Sequence, residues 1–217
     1  MPDLEYENAH DGLVAGVDEA GRGPWAGPVV AAAVILDRDN MPPGMDDSKK
    51  LSKKKREALY DPILASARFA VGMASVAEID ELNILEATML AMRRALRGLF
   101  DCDQPGPDFA LIDGNRLPTE LPCPAETIIR GDGKSLSIAA ASIVAKVTRD
   151  RLMADLDQQF PGYGWKKNQG YGTPEHQLGL QHLGVTIHHR TSFAPIQKLI
   201  KISYYLESLR LLTLYTS

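Results

Sequence analysis

The sequence predicts an α/β fold, a mixed sheet with helices packed on it. Three observations predict it. Short apolar or β-branched runs recur and end in acids and glycines. Stretches of helical periodicity, the longest at 135–160, stand among them. The first two strand-like runs follow one another directly, so the strict strand–helix alternation of a doubly wound sheet is absent.

In chain order, LVAGVDEAG (13–21) is a short apolar run ending in carboxylates and glycines, and PVVAAAVILD (28–37) is a β-branched and alanine run. Both predict strands, the second well buried. DRDNMPPGMDDSKK (37–50) is turn-rich loop. LSKKKREALYDPILASARF has helical spacing interrupted by Pro62, and FAVGMASVA (69–77) predicts a strand. Residues 78–99 predict one helix. Ile79, Leu82, Leu85, Met89, Met92 and Leu96 recur every three or four residues, with acids at its start and arginines at its end. FALIDGN (109–115) and AETIIRGD (125–132) predict strands, each closing on an aspartate beside a glycine. A long helix (135–160), a glycine- and aromatic-rich loop (161–173), a helix opened by Pro174 and a last helix from about Pro195 complete the chain.

The 217 residues suit one domain with a small appendage. No uncharged apolar run approaches a membrane span, and the acidic MPDLEYENAH is no secretory signal. Cys102 and Cys123 have neither zinc nor catalytic spacing, which makes a reducing, cytoplasmic compartment the expectation. Net charge is −4, unlike a protein that merely coats nucleic acid. The distribution is uneven: 12 basic and 20 acidic side chains in 1–114, against 11 basic and 7 acidic in 115–201. An acidic centre facing a basic surface suits metal ions and a polyanion, although chance scatter explains the charge alone.

The acids carry the chemistry. Asp18 and Glu19 end one strand, Asp113 ends another, and Asp132 closes a third run. Neighbours on a strand face opposite ways, so use of both Asp18 and Glu19 calls for a local kink, which Gly16 or Gly21 permits. Carboxylates gathered from several strands suit hard divalent cations.

Other patterns are plainer. GRGPWA (21–26) matches a dinucleotide fingerprint but is flanked by prolines and followed by a strand. It reads as a backbone loop built for close approach to a ligand, with Arg22 its one charged donor. GDGKS (131–135) ends like a phosphate-binding loop, yet Ile128 stands where that loop needs glycine, so Ser135 as a helix cap is preferred. Ser142, Lys146, Arg149 and Asp150 share a stripe whose plain reading is a solvated helix face. The lysines of DSKKLSKKK (47–55) are either solvated or phosphate contacts. Tyr163, Trp165, Lys166, Lys167, Asn168 and Tyr171 suit either nucleic-acid stacking or anchoring of their loop. His188 and His189 are expected as core or hydrogen-bonding side chains.

Together the stretches GVDEAGRGPWAGPVVAAAVIL (16–36), DSKKLS (47–52), DELNIL (80–85), LIDGN (111–115), RGDGKSLSIAAASIVAKVTRD (130–150), GYGTPEH (170–176) and HRTSF (189–193) resemble one family, bacterial ribonuclease HII of the type 2 ribonucleases H. The likeness runs in family order over about 13–196, leaving an extension (1–12) and a helical tail (197–217) outside it. It implies a ribonuclease H-like fold, a five-stranded mixed sheet flanked by helices with a helical C-terminal part. It implies catalytic, metal-holding carboxylates at Asp18, Glu19, Asp113 and Asp132, with Asp150 either structural or an outer partner of those ligands. It implies substrate contacts at Gly21, Arg22, Gly23, Lys49, Lys146 and Tyr171. It implies two divalent ions, Mn2+ or Mg2+, acting on RNA–DNA hybrid and on ribonucleotides within duplex DNA, in a monomer. A P-loop nucleotide enzyme would need Lys134 in a Walker loop, and a non-catalytic hybrid-binding module would need no acid cluster.

Overall fold

A computed structural model describes residues 1–101 and 104–202. Cys102 and the tail from 203 onward lie outside them. A short helix, α1 (Glu5–Asn8), precedes strands β1 (Val14–Ala20) and β2 (Val29–Ile35), helix α2 (Lys53–Ser66) and strand β3 (Arg68–Ala74). Helices α3 (Val76–Leu82) and α4 (Ile84–Gly98) follow, then β4 (Phe109–Asp113), β5 (Ala125–Ile128), a 3-10 turn (Gly131–Gly133) and α5 (Leu136–Gln159). Helices α6 (Trp165–Asn168) and α7 (Pro174–Leu183) and helical residues 194–202 complete the described chain.

The five strands form one mixed sheet in the order β3-β2-β1-β4-β5. β2 runs antiparallel to β1 and β3, while β1, β4 and β5 are parallel. Every residue of β2 is buried because both faces of the sheet are covered. Val29, Ala31, Ala33 and Ile35 pack in one core with Ala87, Ala91, Ala95 and Leu96 of α4. Ala32 and Val34 pack in another with Ala140, Ala141 and Val144 of α5 and Ile63 of α2. Small side chains let the helices lie close. At Gly16 a Cβ would stand 2.1 Å from the Ser137 carbonyl carbon, so α5 crosses β1 where only glycine fits. A third core joins Met153 of α5 to Tyr163, Trp165, Leu180 and Ile196, forming the helical C-terminal part.

The helix expected at 78–99 is two helices broken at Asn83, which adopts φ 73°. Asn83 ends α3 and caps α4, its Oδ1 accepting from the Leu85 and Glu86 N–H groups at 2.9 and 3.2 Å. Ser75 and Glu78 form a reciprocal capping box at the start of α3. Asn83→Ala is expected to lose about 1 kcal/mol of capping and about 1–3 kcal/mol more for an alanine held at positive φ with extended ψ. Asn83→Gly keeps the conformation and loses only the cap. Thermal melts of both variants should therefore rank Ala below Gly; equal midpoints would show that the backbone angle carries no load.

The strand expected at 125–132 stops at Ile128, because Arg130 is left-handed at φ 57° and the chain turns into the 3-10 segment. Asp132 thus sits in a turn, not at a strand end. Within the loop expected at 161–173, residues Trp165–Asn168 form one helical turn. Among the described residues no helix is long and apolar enough to cross a membrane.

Candidate active site

Parallel pairing sets Val17 of β1 against Ile112 of β4, so the same register carried one step further places Asp18 beside Asp113. The expected kink in β1 is absent: β1 pairs β2 without interruption from Ala15 to Ala20. Instead the Asp18 side chain bends along the strand, its Oδ1 accepting from the Glu19 N–H at 2.7 Å. One carboxylate oxygen each from Asp18, Glu19 and Asp113 then lies within 4.8 Å of the others. Asp132 stands outside this group but next to it, since the Gly131 N–H donates to Asp113 Oδ1 at 2.7 Å.

The cluster is short of positive charge. Arg22 reaches only Glu19, at 3.3 Å, and Lys49 reaches only Asp132, at 3.4 Å. Asp18 is 4% exposed and has no ion-pair partner among the described residues. Burial, reinforced by the charges of Glu19 and Asp113, pushes its carboxyl well above the usual range. Burial also raises Glu19 against the pull of Arg22, and raises Asp132 with help from Asp113 against the pull of Lys49. Partial burial lowers Lys49, but the carboxylates of Asp132, Asp18 and Asp47 outweigh it and hold the ammonium above its ordinary value. Three converging carboxylates with a single cation, Arg22, against them are a donor set of the kind hard divalent cations take, so the residues present fit a metal.

Asp18, Glu19 and Asp113 open onto a cleft of about 360 Å³, which Gly21, Arg22, Gly23, Lys49, Lys146 and Tyr171 also line. Asp132 and Lys49 line the adjoining hollow with Lys50, Arg130 and Lys134. Each expected site residue therefore lies on one continuous stretch of surface around the acids. The DSKKLS segment is tied to α5 through the Ser48 N–H, which donates to Ser142 Oγ at 3.2 Å and so sets Lys49 over the cleft.

The stripe on α5 is not a solvated face. Ser142, Arg149 and Asp150 are buried, and Lys146 pairs with Asp150 at 2.6 Å. Arg149 donates to the carbonyls of Ala26, Pro28 and Gln169. Arg190, also fully buried, donates to those of Gly21, Arg22, Gly27 and Pro28. Burial pulls the two guanidiniums down to about 10 and about 9. Both remain cations at neutral pH, satisfied by main-chain dipoles. Gly21, at φ +97°, is required beneath them, since a Cβ there would stand 1.9 Å from Arg149 Nε.

Sequence reasoning missed this pair of clamps because their partners are carbonyls, which leave no residue signature. Asp80 is a second such tie. Its carboxylate accepts from the N–H and hydroxyl groups of Thr191 and Ser192, joining α3 to the segment that carries Arg190.

The aromatic loop divides. Tyr163 and Trp165 are buried anchors stacked at 4.9 Å, while Tyr171 is 51% exposed at the cleft. His189 is buried and hydrogen-bonded to His176 and Thr186, a core role. Burial, with Asp108, pushes the Cys123 thiol up to about 11, which leaves it unreactive.

Residues 15–196 match the family model described as Ribonuclease HII. A ribonuclease HII of Jannaschia sp. strain CCS1 is 59% identical, with 92% of this chain and 98% of that one covered. Another, of Rhodospirillum rubrum, is 59% identical over 91% of each chain. Among solved structures, the ribonuclease H2 of Pyrococcus horikoshii OT3 superposes with a TM-score of 0.71 at 28% identity, covering 87% of this chain and 97% of that one. An acid cluster on parallel strands, in a chain so matched along nearly its whole length, places this protein in the ribonuclease HII family of metal-dependent ribonuclease H hydrolases.

Proposed function

We propose that the enzyme hydrolyses the RNA strand of RNA–DNA hybrids and cuts on the 5′ side of ribonucleotides embedded in duplex DNA, leaving 3′-hydroxyl and 5′-phosphate ends. The observation that carries this reading is a single cleft in which the acid cluster, the Gly21–Arg22–Gly23 loop and Tyr171 stand together. Asp18, Glu19, Asp113 and Asp132 are the residues that would hold two divalent ions, Mg2+ or Mn2+, with Asp18 the most buried of the four. Such ions supply an activated water and charge stabilisation for the departing oxygen.

The loop is arranged to read a 2′-hydroxyl. Arg190 draws the carbonyls of Gly21 and Arg22 inward. In a trans peptide the N–H points opposite to the carbonyl. The N–H groups of Arg22 and Gly23 are thereby turned away from Arg190, in a loop that lines the cleft. There they can donate to the hydroxyl oxygen that distinguishes RNA from DNA. Tyr171 lies against this loop, its Cε1 3.3 Å from where a Gly23 Cβ would be, and offers an aromatic face to the neighbouring sugar.

A duplex DNA holding one ribonucleotide, incubated with and without Mg2+, tests the proposal. Cleavage confined to the 5′ side of the ribonucleotide and dependent on metal is expected. Cleavage of the all-DNA duplex at the same rate, or cleavage indifferent to metal, would refute it.

Lys49 and Lys146 are expected to contact phosphates. Lys49→Ala and Lys146→Ala should weaken binding to all duplexes alike and make the logarithmic salt slope shallower, by about 1 for Lys49. Lys146 already has a carboxylate partner in Asp150, so its effect should be the smaller. Binding measured across a salt series with unaltered slopes would remove both from the interface.

A further inference from the structure

The amino-terminal segment lies before the residues that the family model covers, yet it is wired into the acid site. Glu7 of α1 is 3% exposed. Its Oε1 accepts three hydrogen bonds: from Ser135 Oγ at 2.6 Å, the Ser137 N–H at 2.8 Å and Ser137 Oγ at 2.6 Å. Asp3 pairs with the same stretch through its backbone. Its N–H donates to the Lys134 carbonyl at 3.0 Å, and its carbonyl accepts from the Leu136 N–H at 2.9 Å.

These contacts account for the start of α5. The first N–H groups of a helix have no partner within it. In α5 the Leu136 N–H goes to Asp3, the Ser137 N–H goes to Glu7, and the Ile138 N–H goes to the cap hydroxyl of Ser135, which Glu7 itself holds. An acidic side chain is also favoured at the positive end of a helix dipole.

Two acids depend on this turn of helix. The 3-10 turn bearing Asp132 closes onto it through Lys134 and Ser135, whose N–H groups both donate to the Gly131 carbonyl. On the other side, Ser137 presses on Gly16, two residues before Asp18. The junction that Glu7 ties down therefore sets where Asp132 stands relative to Asp18 and Asp113.

We propose that Glu7 is a positioning residue for metal binding: it anchors the 3-10 turn and the first turn of α5, and so holds Asp132 against the three-carboxylate cluster. The inference rests on the metal-dependent reading of those acids. Removal of a direct hydrogen-bond partner of a metal ligand typically lowers metal affinity 10–100-fold, and Glu7 acts one step further out, through Ser135 and Ser137, so an effect at the low end of that range is expected.

The test uses the full chain. Mn2+ binding by isothermal titration, the Mn2+ concentration for half-maximal cleavage, and amide hydrogen exchange over 131–138 are measured for wild type, Glu7→Ala and Glu7→Gln. Glu7→Ala is expected to weaken Mn2+ binding about tenfold, to raise the half-maximal concentration in step, and to speed exchange in the turn, with KM for substrate little changed. Glu7→Gln keeps an oxygen acceptor and replaces Oε2, which has no protein partner, with an amide nitrogen. It should recover near-wild-type metal binding. Ile63→Val, in the core beneath α2, serves as a destabilised control whose Mn2+ dependence should not move.

If Glu7→Ala does not fold, Ser137→Ala, which removes one of the three donors, must shift Mn2+ binding in the same direction. A lowered melting temperature with unaltered Mn2+ binding, as in the control, would overturn the proposal, as would a Glu7→Gln variant no better than Ala. Wild-type protein without metal-stimulated cleavage would instead overturn the reading of the acid cluster.

Discussion

Asp18→Asn is expected to abolish cleavage while the metal-free protein melts no lower, and by a few degrees higher, than wild type. The amide keeps the shape and can still accept from the Glu19 N–H, so the strand end has no reason to unravel. What it loses is a negative charge of the cluster that would hold metal. Loss of several kcal/mol of transition-state stabilisation, at about 1.4 kcal/mol for each tenfold in rate, predicts a fall of about a thousandfold or more. What it gains is relief. Asp18 is buried beside Glu19 and Asp113, so its negative form is disfavoured without metal. Each kcal/mol relieved raises the melting point of a chain this size by about 2–4 °C.

The sign of the pH dependence follows from the raised acids. Asp18, Glu19 and Asp132 hold protons more tightly in the folded than in the unfolded chain. Without metal, their contribution favours the fold at a pH below about 4, where unfolded carboxyls are protonated, and is lost as pH rises through their raised values. Glu78 acts oppositely: hydrogen bonds from Arg94 hold it down at about 2, so its stabilisation is present above about pH 4.5 and is lost as pH falls towards 2. Asp18→Asn leaves Glu78 untouched. The stability difference between variant and wild type should therefore grow with pH from about 4 upward, and added Mg2+ should close it by stabilising wild type alone. Near-normal turnover in the folded variant, or a stability difference flat with pH, would remove Asp18 from the metal site.

The acids themselves were legible because two of the three runs that carry them are strands, and parallel strands β1 and β4 bring their ends to one edge. Asp132 was legible as a residue but not in its setting, since the left-handed Arg130 turns the chain before the strand could reach it. The break at Asn83 had signals in the open, a Ser75–Glu78 capping box and an asparagine before an apolar residue, but unbroken apolar spacing on either side overrode them. The polar stripe of α5 was misleading for a deeper reason. Arg149 is satisfied by carbonyls at Ala26 and Pro28, more than a hundred residues away, and only tertiary structure supplies them. Glu7 has the same character: its partners Ser135 and Ser137 lie across the whole sheet in sequence.

Tyr171→Ala is expected to lose up to about a hundredfold in rate on a single ribonucleotide embedded in DNA, and distinctly less on a long hybrid. The side chain is free to act on substrate because the backbone already secures its loop. The Tyr171 N–H donates to the Asn168 carbonyl at 3.0 Å, and its own carbonyl accepts from the Thr173 N–H at 2.8 Å and lies 3.0 Å from His176 Nδ1. Anchoring through the aromatic side chains falls to Tyr163 and Trp165 instead. The exposed ring beside Gly23 can offer apolar contact to a deoxyribose, which a 2′-hydroxyl would disturb, and on this proposal it should favour the RNA–DNA junction over continuous RNA. Stacking of this kind is worth about 1–3 kcal/mol, which sets the upper bound on the rate loss. Tyr171→Phe keeps the ring and should keep the preference, separating the face from the hydroxyl. Because Tyr171 is no carboxylate, the metal dependence of both variants should match wild type. The ratio of the two activities, measured in all three proteins, decides the matter: a ratio unchanged in Tyr171→Ala would mean that the ring plays no part in choosing the junction.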